Sequence, residues 1–371
     1  MTDTRYWIAF NLVPQIGPAK VQRLLDRFGD LETAWRAHHF ELAAAGLDKR
    51  ALENLIETRQ KIDLDAELEK IARAGVHVIT LDDPAYPRLL KQIPHAPFVL
   101  YIKGEIVPDD DWSLAVVGTR RATAYGREAT RNIVTDLVRN RITVVSGLAR
   151  GIDAEAHRTA LDGKGRTIAV LGCGVDVIYP SEHKKLVQAI IESGALVSEY
   201  PLGTQPEAGN FPPRNRIISG LAMGTLIVEG DEATGARITI EYALEQGRET
   251  FAVPGNIFNR TSRGTNKMIQ RGEVKLVTSA MEILEELNLT MIEEHQEARA
   301  ALPENETEAT LLKHLSSDPI HVDEICRETQ LPTATVSSTL AMMELKGIVR
   351  QTGGMNYVVA REDAAKYAAD E

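Results

Sequence analysis

The stretch LAVVGTRRATAYGREATRNIV, residues 114–134, decides the fold. Four apolar residues run into Gly118. A polar turn carrying Arg120 and Arg121 follows, and then a helical pattern. An apolar strand, a terminal glycine and a helix starting from a polar turn make a strand–turn–helix unit suited to phosphate. The free amides of the helix start carry partial positive charge, and Thr119 is placed to cap them. The phosphate could belong to a cofactor, a nucleotide substrate or a nucleic acid.

Outward from this unit the same pattern repeats. VHVITL and FVLYIKG precede it, and ITVVSG, TIAVLG, ALVSEY, TLIVEG, TFAVPG and VKLVTS follow. Helical stretches of roughly 12–20 residues separate most of these runs, which predicts a parallel, doubly wound, Rossmann-like α/β sheet over residues 61–287. Ligands of such sheets gather at the carboxyl ends of the strands.

Residues 1–60 read as short helices. LVPQIGPAKVQRLLDRFG and LAAAGLDKRALENLI each place a glycine between helices, the pattern of a helix-hairpin-helix or SAM-like domain. Amides at the second helix of such a hairpin can hold a DNA phosphate. A plain packing domain fits better, because Lys20 is the only basic residue close to the first turn. Residues 288–305 are charged and aromatic-poor and read as a linker. Over 306–362, three helical patterns precede a hairpin around Gly353-Gly354, a winged-helix pattern.

The 371 residues are 43% hydrophobic and 26% charged, with a net charge of −11, so a nucleic-acid site must be a local patch. Residues 113–223 hold 14 Lys/Arg against 10 Asp/Glu, a net of +4, whereas 303–371 hold 6 against 12. Phosphate binding is thus expected on the α/β part. The third helix of the winged helix has no arginine before Lys346, which suits protein contact or packing better than DNA contact. Two distant cysteines, Cys173 and Cys326, suit a reducing, cytoplasmic setting, and no signal peptide or membrane span is expected.

No Walker lysine follows the Gly230–Gly235 turn, and Gly172 and Gly174 lack the third glycine of a dinucleotide fingerprint. The nine histidines form no metal pattern, so neither cofactor nor metal is expected. Ser146, Asp153 and His157 do not stand as a nucleophilic triad, for Ser146 lacks the elbow glycines.

The positive features are two similar turns and one unusual segment. VVGTRRATAYG offers Gly118, Thr119, Arg120 and Arg121. VVSGLARGIDAEAH offers Ser146, Gly147, Arg150 and Gly151. Two anion-holding turns with arginines suit consecutive phosphates. GNFPPRNRIISGLA sets Phe211 in a proline-stiffened loop just before Arg214, Asn215 and Arg216. A ring among arginines is what single-stranded nucleic acid uses, stacking bases and holding phosphates. The structural alternative is a core phenylalanine and an arginine paired with a carboxylate such as Glu199. Met268 and Ile269 in GTNKMIQRG fit either the core or a dimer seam.

These motifs, with IAVLGCGVDVIYP, LVSEYPLGTQP and EYALEQGRETFAVPG, run in order over about 80–280 and resemble the bacterial DNA-processing family DprA, also called Smf. The resemblance implies a non-enzymatic protein that binds single-stranded DNA on a Rossmann-like domain, usually as a homodimer. It implies placement of the RecA recombinase on incoming DNA during natural transformation. Arg120 then becomes a principal DNA contact, with Thr119 in place of the family's serine. Ser181 and Ala208 stand where relatives carry basic residues, with Lys184 and Lys185 one turn on, and Arg237 is a candidate to compensate. A second reading is a nucleotide phosphoribohydrolase-like enzyme on a related fold, with Glu241 as an acid.

Overall fold

A computed structural model describes residues 4–288, 306–315, 320–345, 349–353 and 355–359. The linker expected over 288–305 lies, but for its first residue, outside the described residues, as do Lys346, Gly354 and positions 360–362. The chain divides into two compact units, Met1–Leu287 and Asn288–Glu371.

The first unit opens with α1 (Thr4–Asn11), α2 (Pro18–Phe28), α3 (Leu31–Arg36), α4 (His39–Ala44), α5 (Lys49–Lys61) and α6 (Leu64–Arg73). Gly17 and Pro18 start α2, where a missing N–H costs nothing. Lys20 does not face solvent as a free cation; it donates to Gln15 O at 3.0 Å and pairs with Asp48 at 2.5 Å. Asp48 in turn caps α5 through Ala51 N.

Nine strands then form one sheet: β1 (His77–Thr80), β2 (Val99–Gly104), β3 (Ser113–Val117), β4 (Thr143–Ser146), β5 (Thr167–Val170), β6 (Ala195–Ser198), β7 (Gly224–Ile227), β8 (Glu249–Ala252) and β9 (Lys275–Leu276). The order is β1-β2-β6-β5-β4-β3-β7-β8-β9. From β6 to β9 every pair is parallel, and β1 and β2 add an antiparallel edge. Every expected strand is present. The chain winds outward from β3 to β6, then crosses back to lay β7 on the other side of β3. That reversal makes β3 the switch point where an open sheet forms its crevice.

The helices between strands are α7 (Arg88–Lys91), α8 (Ala124–Arg139), α9 (Ile152–Asp162), α10 (Lys184–Ser193), α11 (Phe211–Leu221), α12 (Gly235–Glu245), α13 (Arg263–Gln270) and α14 (Ala280–Glu286). They cover both faces, so β3 to β7 are buried along their whole length. One core joins Trp7, Phe10, Leu24 and Leu55 of the first helices to Tyr101, Leu171 and Leu196. The other joins Val117, Val145 and Ile227 to Ile217, Ile240 and Met268. Met268, 3% exposed, is therefore core and presents nothing to a dimer seam; Ile269 packs partly buried against the same cluster.

The second unit is a winged helix. Helices Glu306–Lys313, Val322–Thr329 and Thr333–Leu345 enclose Leu311, Ile325, Val336, Leu340 and Met343. The hairpin of β11 (Val349–Gly353) and β12 (Asn356–Val359) gains a third strand, β10 (Ile320–His321), too short to signal itself in the sequence. Among the described residues no helix is long and apolar enough to cross a membrane.

Candidate nucleic-acid interface

The turns after β3 and β4 are locked together through their backbones. Gly151 holds φ at +80°, and a Cβ there would lie 2.2 Å from the Thr119 carbonyl oxygen. A Cβ on Gly118 would meet Ile152 at 2.6 Å. Ile152 N donates to Thr119 O at 3.2 Å. No side chain fits between the two turns, which brings Arg120 and Arg150 to one groove at the ends of β3, β4 and β5.

Thr119 does not cap the following helix. Its N–H donates to Glu229 O at 2.7 Å and its Oγ1 accepts from Arg121 N. The cap of α8 is Thr123, whose Oγ1 accepts from Gly126 N at 3.1 Å. Glu229, 1% exposed, delays the helix start: it accepts from Thr123 N at 2.9 Å, Thr123 Oγ1 at 2.8 Å and Thr261 Oγ1 at 2.6 Å.

Residues 211–221 form helix α11, not a loop. Pro212 and Pro213 sit in its first turn, where amides have no helical acceptor. Phe211 thereby lies at the helix start, against Gly172, where a Cβ would stand 2.9 Å from the ring. The guanidinium carbons of Arg120 and Arg214 each lie 5.8 Å from the Phe211 ring centroid. Tyr179, 42% exposed, stands 5.6 Å away at an interplanar angle of 38°. One ring is thus flanked by two cations and a second ring, at the mouth of the groove.

The arginines differ in state. Arg120 and Arg121 are exposed, and neither makes an ion pair among the described residues. Arg214 is 4% exposed and donates to Gly147 O at 2.9 Å and to Val170 O. Burial pushes its guanidinium down to about 10, so it stays charged near neutrality. Arg150 reaches across to Glu182. Arg216 lies two positions beyond Arg214 and so on the opposite side of α11. It makes two bonds to Glu199, at 2.7 and 2.6 Å, in a cavity of about 490 Å³ that Pro14 and Gly17 also line. Arg216 is therefore spent on Glu199 rather than brought to the groove. Asn215 donates to Gly235 O at 3.4 Å, and Arg237 pairs with Glu241 one helical turn on, at 3.0 Å.

Ser146 is buried and donates to Val116 O at 2.6 Å, while His157 Nδ1 lies 2.7 Å from Thr167 Oγ1. These hydroxyl and imidazole groups serve the fold separately. Tyr179, Glu229 and Thr123 were not singled out by sequence reasoning. Tyr179 is announced only by the Tyr-Pro pair, and Glu229 only by a carboxylate at a strand end.

Beneath the groove, burial pushes the Asp153 carboxyl up to about 6, against the pull of Arg214, and pushes His157 down to about 3. The signs oppose. The folded His157 sheds its proton early, so its contribution to stability is lost as pH falls below 6.5. The folded Asp153 takes a proton early, so its contribution grows as pH falls from about 6 toward 4. Asp153→Asn leaves only the histidine's dependence. Between pH 6 and 4.5 that variant should lose about 1.5 kcal/mol more than the parent in urea titrations. Parallel pH profiles would show that the Asp153 carboxyl is not raised in the folded protein.

Comparisons with known proteins fit this architecture. The family model for DNA recombination-mediator protein A matches residues 77–288, and that for the DprA winged helix domain matches 295–355. Protein Smf from Synechocystis is 35% identical over 96% of this chain and 98% of its own length. Protein Smf from Escherichia coli is 37% identical over 95% of each. Among solved structures, DprA from Streptococcus pneumoniae aligns with a TM-score of 0.69 and 35% identity, over 77% of this chain and 99% of that one. DNA processing protein A from Helicobacter pylori aligns at 0.52 and 28%, over 58% and 97%, and is described for its unique single-stranded DNA binding mode.

Proposed function

Because this chain belongs to the DNA recombination-mediator protein A family, we propose that it binds single-stranded DNA in the groove at the ends of β3, β4 and β5 and hands that strand to a RecA recombinase. It acts as a homodimer and performs no chemical step on the DNA. The α/β part carries the strand; the winged helix serves as a protein-contact module. The observation that carries this reading is Phe211, held between Arg120 and Arg214 beside the exposed Tyr179. Rings stack bases regardless of sequence, and guanidinium groups hold the phosphates between them.

The strand contacts are assigned to Arg120, Arg121, Phe211 and the amides of the turns at Gly118 and Gly147, with Arg150 released from Glu182 to a phosphate. Arg214 braces the ring from beneath. The Helicobacter pylori relative, whose structure concerns single-stranded DNA binding, supports the same ligand here.

Mobility-shift titrations with single- and double-stranded oligonucleotides test the reading. Single strands should bind at least tenfold tighter, with affinity falling steeply as salt rises. Equal affinity for duplex would defeat it. Base release from nucleoside monophosphates would favour the phosphoribohydrolase-like alternative.

A further inference from the structure

Two strands beyond β3, on the same carboxyl edge of the sheet, the loop after β8 holds Ile257 and Phe258 in solvent, 72% and 83% exposed. Burying two such side chains is favourable, so a slack loop would fold over them. This loop is braced outward instead. Phe258 N donates to Asn256 Oδ1 at 2.9 Å. Asn266 clamps Gly255 from both sides, accepting from its N–H at 3.0 Å and donating to its carbonyl at 2.9 Å. Thr261 is fastened to Glu229, the carboxylate that also holds Thr123 just after Arg120 and Arg121. The loop and the Arg120 turn therefore share one buried anchor.

The two segments also carry a half-exposed ring and unpaired cations. Tyr125, 48% exposed, donates to Pro254 O at 2.5 Å and lines an open hollow of about 380 Å³ with Asn256 and Asn259. Arg121 and Arg263 are exposed and make no ion pair among the described residues, while Arg260 is held by Asp231 at 2.5 Å. Exposed rings and unpaired arginines are the residue types that hold a single strand.

We propose that Ile257 and Phe258, together with Tyr125, Arg121 and Arg263 of the two segments that Glu229 anchors, form a second stacking platform that continues the single-strand track from the Phe211 groove. The proposal rests on the groove reading above and extends it along the edge. Exposed rings with unpaired arginines suit a polyanion that carries stackable bases, which a second copy of this chain does not offer.

The test compares fluorescence anisotropy of thymidine oligonucleotides of about 6 and about 16 nucleotides, the span of single-strand site sizes. The double variant Ile257→Ser with Phe258→Ser, both in solvent, should bind the long oligonucleotide about tenfold more weakly and the short one unchanged. Phe258→Tyr, which keeps a ring, should restore the long-strand affinity. Unchanged long-strand binding by the double variant overturns the platform, as does an equal loss at both lengths. A shift in sedimentation with DNA affinity intact overturns it in favour of self-association. Arg120→Ala separates the two claims: it should weaken both lengths, and its failure to do so would defeat the groove reading itself.

Discussion

Arg120→Ala should weaken single-stranded DNA binding by about 100-fold, near 3 kcal/mol, and leave the melting temperature unchanged. The side chain is exposed, lies 5.8 Å from the Phe211 ring and makes no ion pair among the described residues, so the fold asks nothing of it. A bound strand would use it twice, as a charge-assisted donor to phosphate and as a cation over the ring on which a base stacks. The slope of log affinity against log salt should also fall by about one, the signature of one lost phosphate contact. Anisotropy titrations at several salt concentrations measure both. An affinity within twofold of the parent would remove Arg120 from the interface.

The second large effect lies 5.8 Å from the same ring and concerns stability. Arg214→Met should lower the unfolding free energy by about 4 kcal/mol, about 10 °C in melting temperature. Arg214 is buried, feeds the carbonyls of Gly147 and Val170, and sits against Asp153. Removing it strands two acceptors and leaves a buried carboxyl without its counter-charge. Arg214→Lys should recover only part of the loss: one guanidinium nitrogen, Nη1, serves both carbonyls and an ammonium can replace it there, but the planar group against the Phe211 ring is lost. Thermal and urea denaturation decide the matter. A melting temperature within 2 °C of the parent for Arg214→Met would mean that this arginine is not structural. The pair of results separates two cations that flank one aromatic ring.

The sheet was legible because its strands are buried on both faces. LAVVG, TIAVLG and TLIVEG read as continuous apolar runs, and a glycine or small residue at each end marks the turn. The turns after β3 and β4 were legible from their glycines, but the reason for those glycines is tertiary: a Cβ on Gly118 or Gly151 would strike the neighbouring turn. The winged helix announced itself by three helical periods before a hairpin. Its two-residue β10 carried too little pattern to be seen.

Local signals misled where a tertiary partner set the outcome. Two prolines after Phe211 suggested a loop, yet in a helix's first turn proline breaks nothing. Thr119 was placed to cap α8, but Glu229, arriving from β7 more than a hundred residues later, captured the turn and passed the cap to Thr123. Met268 fitted either seam or core until the cluster around Ile217 and Ile240 enclosed it.

By itself the sequence determined the doubly wound sheet and the basic character of 113–223, because periodicity and charge are properties of short segments; the switch point at β3 came only with the strand order. The fate of each arginine was decided only by the tertiary structure. Arg214 and Arg216 stand two apart, so a helix sends them to opposite sides, one under Phe211 and one to Glu199. Whether a cation is free, buried or paired depends on carboxylates and carbonyls brought near by folding, and no spacing along the chain records that.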